Sequence, residues 1–223
     1  MLWKKSLAGI AWLMSAMAVA IFLPAGTVVY WQGCVYWFVF LGAAVLITAY
    51  FLRHDPDLIR RRLAAGPSAE QRGTQKIVQT FASVLFLALF VVSGLDRRFG
   101  WSSVPAVAVV LADALVAVGF AIVFLVFREN SHASATIEVS AGQRVISTGP
   151  YRHVRHPMYA GALLLLAGTP LALGSLAALL LVIPFAVVLI ARLLDEERML
   201  SVELAGYREY CRQVRFRLIP YVW

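Results

Sequence analysis

Two polar clusters in an otherwise apolar chain carry residue types that could do chemistry. The first is Gly149-Pro-Tyr-Arg-His-Val-Arg-His-Pro-Met-Tyr-Ala-Gly161, which sets cations and aromatics directly before a long apolar run. Pro157 suits the first turn of a helix, where its missing N–H costs nothing, and this puts His156 at or beside the cap. The run from Met158 onward is then a helix whose N-terminus faces the cluster, with unpaired N–H groups and the positive end of its dipole. An anionic group would bind well there, and Arg155 would reinforce that preference. The same cations, Arg152, His153, Arg155 and His156, also fit an ordinary basic flank snorkelling to lipid headgroups. The second cluster is Arg192-Leu-Leu-Asp-Glu-Glu-Arg198. Arg192 and Glu196 are four apart, so they share one helix face and could simply pair with each other. A basic helix start at 155–157 and an acidic helix end at 195–197 on one membrane surface would make a site with both signs of charge beside a lipid-accessible groove.

The elements that must position these clusters are membrane helices. With 61% hydrophobic and only 14% charged residues, the 223-residue chain has more apolar surface than a soluble domain of its size could hide. The fold class expected is all-α and polytopic, with about six apolar runs: 7–23, 28–52, 77–95, 104–127, 158–173 and 176–194. Most are long enough for a hydrocarbon core that needs about 20 helical residues. The fifth is short, and only Gly174-Ser175 separates it from the sixth, which predicts a tight helical hairpin. The chain divides into N-terminal membrane helices over 1–127 and a region over 128–223 where polar sequence is concentrated.

Six spans would put every Lys and Arg except Arg97 and Arg98 on one side, so the positive-inside rule predicts cytoplasmic termini and a cytoplasmic site. The net charge of +8 then reflects topology and anionic headgroups rather than nucleic acid, since no basic stripe interleaved with stacking aromatics is present. Lys4 and Lys5 precede the first apolar run as in a signal peptide, but no small-x-small cleavage site follows, so the run reads as a helix. The segment 53–76, with Arg60-Arg61-Arg62 and Gly66-Pro67, reads as an amphipathic interfacial loop to which no chemistry is assigned. Cys34 and Cys211 fall in distant segments, which argues against a disulfide, and the four histidines lack metal-ligand spacing. Asp113 lies inside the fourth span, as either a functional group or a structural aspartate, outside the site. No internal repeat is present.

With both clusters in view, the chain resembles the isoprenylcysteine carboxyl methyltransferase family, within the membrane methyltransferases that also include phospholipid N-methyltransferases. The resemblance rests on Gly149 to Gly161, on Glu196-Glu197-Arg-Met-Leu200, and on Tyr207-x-x-Tyr210 with Leu218-Ile-Pro220. It covers roughly residues 130 to 220, and it implies an S-adenosylmethionine-dependent enzyme with its cofactor enclosed by the C-terminal region. Carried over by motif, the cofactor contacts are His156, Pro157, Met158 and Tyr159, together with Tyr151, Gln143, Arg144, Val145, Ile146 and Glu196. Asn130 aligns with the family's Asn-containing segment, so a further cofactor contact falls on Thr136, whose residue type departs from the family's. Arg192 matches the arginine that faces the methyl acceptor and is the expected catalytic and substrate-binding residue. No metal is implied.

The cofactor's carboxylate suits a helix N-terminus, and its amino and sulfonium groups suit carboxylates and carbonyls. The partner implied is a lipid or prenylated acceptor entering from the bilayer. Leu204-Ala-Gly-Tyr207 and the extra arginines around Phe216 depart from the family pattern, so an ethanolamine lipid is an alternative acceptor. An amine must lose a proton, for which Glu197 or a tyrosine is the nearest base. A nicotinamide-dependent reductase of the steroid-reductase type shares a related motif. That type favours Pro-Asn-Tyr and an acidic residue after the glycine, where this chain has His156-Pro-Met-Tyr159 and Ala162. A lipid-binding scaffold without turnover would not need Arg192, Glu196 and His-Pro-x-Tyr together.

Overall fold

The computed structural model describes residues 2–63, 66–70, 72–133, 135–136 and 142–223. Among the described residues five helices are long and apolar enough to cross a membrane: α1 (Leu2–Ala25), α2 (Trp31–His54), α4 (Gly73–Phe99), α5 (Ala106–Glu129) and the helical stretch Ala178–Glu203. The last opens with a 3₁₀ turn, Ala178–Leu181, before α7 (Val182–Glu203). The short helices are α3 (Pro56–Leu63), α6 (Pro157–Ala172) and α8 (Tyr207–Gln213). Among the described residues there is no strand. The protein is an all-helical, polytopic integral membrane protein, with exposed Trp12, Leu23, Phe38, Leu46, Leu111 and Ile183 around its flanks.

The α6–α7 hairpin forms where expected, and its turn explains why. Gly174 adopts φ +71°, a conformation that suits glycine. Asp96, at the end of α4, accepts hydrogen bonds from Ser175 Oγ at 2.5 Å and from the Ser102 backbone at 2.8 Å. The carboxylate therefore stitches the hairpin turn to the α4–α5 connection. The sixteen residues of α6 span about 24 Å, short of a hydrocarbon core of about 30 Å.

Lipid tails are as apolar as the helix faces, so close packing and buried hydrogen bonds must hold the helices together. The most extensive packing is between α5 and α6. Small residues make it possible: a Cβ on Gly119 would lie 2.9 Å from the Gly161 carbonyl oxygen, and one on Gly168 would lie 3.1 Å from that of Ala112. The core around Met17, Ile21, Tyr36 and Phe90 joins α1, α2 and α4, and Tyr36 is bound to Thr169 Oγ1 of α6 at 3.0 Å. At the opposite end of the bundle, α3, the described residues of 66–72 and 130–156, and the C-terminal tail form a loop-rich face on which the cavity's polar end sits. Residues 64, 65 and 71 of the expected interfacial loop lie outside the described residues. Asp113 is buried in α5, with no hydrogen-bond partner for either oxygen among the described residues, and it stands apart from the site.

Candidate active site

The start of α6 is built as its proline dictates: Pro157 occupies the first turn and His156 is the cap residue, with no side-chain cap hydrogen bond. The backbone before it is fixed by the C-terminal tail, because Arg155 N–H donates to Phe216 O and His156 N–H to Arg217 O, both at 2.9 Å. Arg155 does not wait for a ligand, contrary to the sequence expectation. Its Nε donates to Glu197 Oε1 at 2.7 Å and its Nη1 to the carbonyls of Val214 and Arg215 at 3.1 and 3.0 Å. Arg217 closes on the other Glu197 oxygen at 2.8 Å, and His156 Nε2 lies 3.4 Å from Oε1. Glu197 is thus the clasp of a C-terminal strap, and with both oxygens bound by cations it is a poor candidate for the base that the amine alternative requires. The Tyr-x-x-Tyr pair supports the same region: Tyr210 donates to Tyr151 O at 2.7 Å, and Tyr207 lies 3.5 Å from His156 Nε2.

Helix α7 continues to Glu203, beyond the acidic helix end expected at 195–197. Arg192 and Glu196 share a face, as their spacing requires, but each takes a different partner. Glu196 Oε2 accepts from Tyr159 Oη at 2.7 Å. Arg192, only 9% exposed, lies 2.6 Å from Glu70 and donates to Gln75 Oε1 at 3.0 Å and Ala135 O at 2.8 Å. Glu70 and Gln75 come from the segment to which sequence reading assigned no chemistry, and they hold Arg192 in place. Glu70 carried one signal: it is the only acidic residue between Asp57 and Asp96.

Thr136, Gln143, Arg144, Val145, Ile146, Tyr151, His156, Pro157, Met158, Tyr159, Arg192 and Glu196 all line one cavity of about 550 Å³. That volume is in the range of small-molecule sites, about 300–1,000 Å³. Its wall changes character along its length. Polar groups gather at the loop-rich face, whereas Phe86, Phe120, Leu165, Leu166, Phe185 and Leu189 line the part between α4, α5, α6 and α7. Along α6 it extends from Pro157 to Thr169, about 18 Å of helix.

Two further residues complete the polar end. Tyr151 Oη accepts from Asn130 Nδ2 at 2.9 Å, and burial pushes its hydroxyl up to about 12, so it is neutral in use. Arg62, on α3, turns into the cavity wall with its guanidinium 4.8 Å from the Phe127 ring and its Nη1 3.8 Å from Met158 Sδ. Burial, and after it the charge of Arg192, lower its pKa to about 10, still protonated near neutrality. Sequence reading missed it because nothing in Arg60-Arg61-Arg62 marks the third arginine apart from the first two. Among the described residues no group of His, Cys, Asp and Glu side chains could hold a metal ion.

The cavity lies largely in a segment with known relatives. Residues 107–204 match the phospholipid methyltransferase family model. The match covers somewhat under half of the chain and takes in α5, α6 and α7, with both polar clusters. The chain is also similar to a Delta(14)-sterol reductase of Mus musculus, with 33% identity over 91 residues. That alignment covers 40% of this chain and 22% of the reductase, so the chain spans less than a quarter of that relative's length.

Proposed function

We propose that the protein transfers a methyl group from S-adenosylmethionine to a lipid-like acceptor, as an O-methyltransferase of the isoprenylcysteine carboxyl type. One observation carries this reading: every residue that the sequence resemblance marks for cofactor or acceptor lines a single cavity whose far part is apolar. The cofactor fits the polar end on this chain's own chemistry. The uncapped start of α6 offers backbone N–H groups to its carboxylate, and the Glu196 carboxylate suits its amino group. When bound, the cofactor would supply an electrophilic methyl group on a sulfonium.

A carboxylate acceptor is ionised at neutral pH, so no general base is needed, and Glu197 has none of its charge to spare. The chain's work is alignment and exclusion of water, which can supply about 7 to 11 kcal/mol of barrier lowering. Arg192 orients the acceptor, and a lipid chain occupies the apolar part. The region 128–223 furnishes most of the cofactor contacts. In this reading both termini and the site are cytoplasmic, as the positive-inside rule predicts from the distribution of Lys and Arg.

The similarity to a sterol reductase favours a second reading, reduction of a sterol-like lipid with a nicotinamide cofactor in the same cavity. Calorimetric titration of the purified protein with S-adenosylhomocysteine, with NADPH in parallel, separates the two. Micromolar binding of S-adenosylhomocysteine alone is expected. Binding of NADPH alone would put the reductase first, and binding of neither would sink both.

A further inference from the structure

The apolar part of the cavity ends inside the protein. On α6 its lining follows one helix face, through Ala162, Leu165 and Leu166 to Thr169, and goes no further. On α4 the lining stops at Leu89, and on α7, which returns along α6, it stops at Phe185. Among the described residues α2 reaches the cavity only through Tyr36 and Phe40. Tyr36 and Leu89 are each 1% exposed, Thr169 4% and Phe185 9%, so this end presents almost no surface to the bilayer. A second layer backs it. Buried Ala172 and Leu173 belong to the core cluster of Tyr36, and buried Ala178 packs in the cluster of Leu89 and Phe185. Thr169 Oγ1 gives its hydrogen to Leu165 O at 2.7 Å, so Tyr36 donates to Thr169 at 3.0 Å and ties α2 to α6 across the end.

The depth of the apolar part follows from helix rise. Arg192 to Phe185 is about 10 Å of α7, and Tyr159 to Thr169 is about 15 Å of α6. A saturated chain advances about 1.25 Å per carbon, from ordinary bond lengths and tetrahedral angles, so about 8 to 12 carbons fill that depth. Resting on the methyltransferase reading above, we propose that Tyr36, Leu89, Thr169 and Phe185 form a blind end that limits the acceptor's lipid chain to about 12 carbons of length. A longer chain must push apart buried residues of four helices, which is an overpacking cost. A chain that fits gains little per carbon, because the bilayer it leaves is as apolar as the wall it meets. A cavity open to the bilayer along its side would set no limit, since surplus carbons would stay in lipid.

The test uses the full chain in nanodiscs, saturated with S-adenosylhomocysteine. Binding of N-acetyl-S-alkylcysteines with unbranched chains of about 8 to 20 carbons, bracketing the limit, is measured against their mole fraction in the lipid. For the wild type, affinity should vary little up to the limit and fall by about fivefold or more just beyond it, the fold-change that about 1 kcal/mol of overpacking produces. Leu89→Ala makes room at the end wall and should carry the fall to longer chains, with S-adenosylhomocysteine affinity changed by less than about threefold. Phe185→Leu removes less of the core and should move the fall the same way by fewer carbons. Leu87→Ala, on the exposed side of α4, should leave it in place. Affinity without a fall across the series overturns the proposal and makes the cavity laterally open. So does a fall at the same chain length in the wild type, Leu89→Ala and Phe185→Leu, which would put the limit elsewhere. Binding of S-adenosylhomocysteine but of no acid overturns the inference and the carboxylate acceptor, while the cofactor claim stands. A wild type that binds no S-adenosylhomocysteine removes the methyltransferase reading itself, and this inference falls with it.

Discussion

Arg192 on α7 is paired with Glu70, 122 positions earlier in the chain, at 2.6 Å, and not with Glu196 one turn along its own helix. The pair fastens the segment between α3 and α4 to the helix that carries the acidic cluster. Both partners are buried, with the Glu70 side chain only 1% exposed, so neither can turn to water if the other is removed. Glu70→Ala should destabilise the protein by about 3 to 5 kcal/mol, the usual cost of breaking a buried pair from one side. Thermal unfolding in detergent, followed by intrinsic fluorescence, measures it. Glu70→Gln should fall between wild type and alanine, since an amide keeps one hydrogen bond. A melting temperature unmoved by Glu70→Ala would mean that the pair is spent on function alone.

The separation of Glu196 from Arg192 gives the cofactor assignment a sharper test than deletion of either residue. Tyr159 orients the Glu196 carboxylate through one hydrogen bond. Glu196→Gln removes the charge and Tyr159→Phe removes only the orienting donor. S-adenosylhomocysteine affinity should fall in both, by about tenfold or more for Glu196→Gln and less for Tyr159→Phe. Calorimetry decides, and affinity unaltered in Glu196→Gln would exclude that carboxylate from the cofactor site.

Features that depend on local chemistry could be read from the sequence, and those that depend on distant partners could not. Pro157 sets the start of α6 because a proline's limits act within one turn. Gly174-Ser175 marks the hairpin for a similar reason, since the turn needs a positive φ that glycine supplies. The shared face of Arg192 and Glu196 follows from helical spacing, but their partners come from Glu70 and Tyr159, which no local pattern links to them. Arg155 illustrates the same limit: a cation beside a helix N-terminus looks ready for an anionic ligand until the C-terminal strap is seen to occupy it. The arginine run 60–62 places successive side chains about 100° apart, so only the packing of Leu58 and Ile59 decides that Arg62 turns inward.

The strap predicts a local rather than global response. Glu197 binds Arg155 and Arg217, and the amides of Arg155 and His156 donate to carbonyls of residues 216 and 217. Removing the carboxylate in Glu197→Ala should release that pairing while the membrane helices stay folded. Hydrogen exchange at the Arg155 and His156 amides should accelerate by about tenfold or more, given about 1.5 to 3 kcal/mol for each charged hydrogen bond lost. Trypsin should also cut faster at Arg215 and Arg217. Unchanged exchange at these amides would show that the backbone pairing holds without the clasp.

The α5–α6 interface bears on the cavity, because both helices line it and the start of α6 is the proposed cofactor end. Gly119 is the tightest point: a Cβ there would meet Leu165 Cγ at 2.8 Å and the Gly161 carbonyl oxygen at 2.9 Å. Leu165 can shift, but the carbonyl belongs to a helix backbone and cannot without moving α6. Gly119→Val should therefore cost about 1 to 3 kcal/mol or more through overpacking, and should weaken S-adenosylhomocysteine binding as Met158 and Tyr159 move with their helix. Gly42→Ala is the matched control, since a Cβ on Gly42 meets nothing within 4 Å, and alanine favours a helix by about 1 kcal/mol over glycine. Melting temperature and calorimetric affinity, measured on both variants, should fall together for Gly119→Val and hold or rise for Gly42→Ala. A Gly119→Val variant that melts early but binds with wild-type affinity would show that the cofactor end is positioned by the strap and loops, independently of how closely α5 and α6 approach.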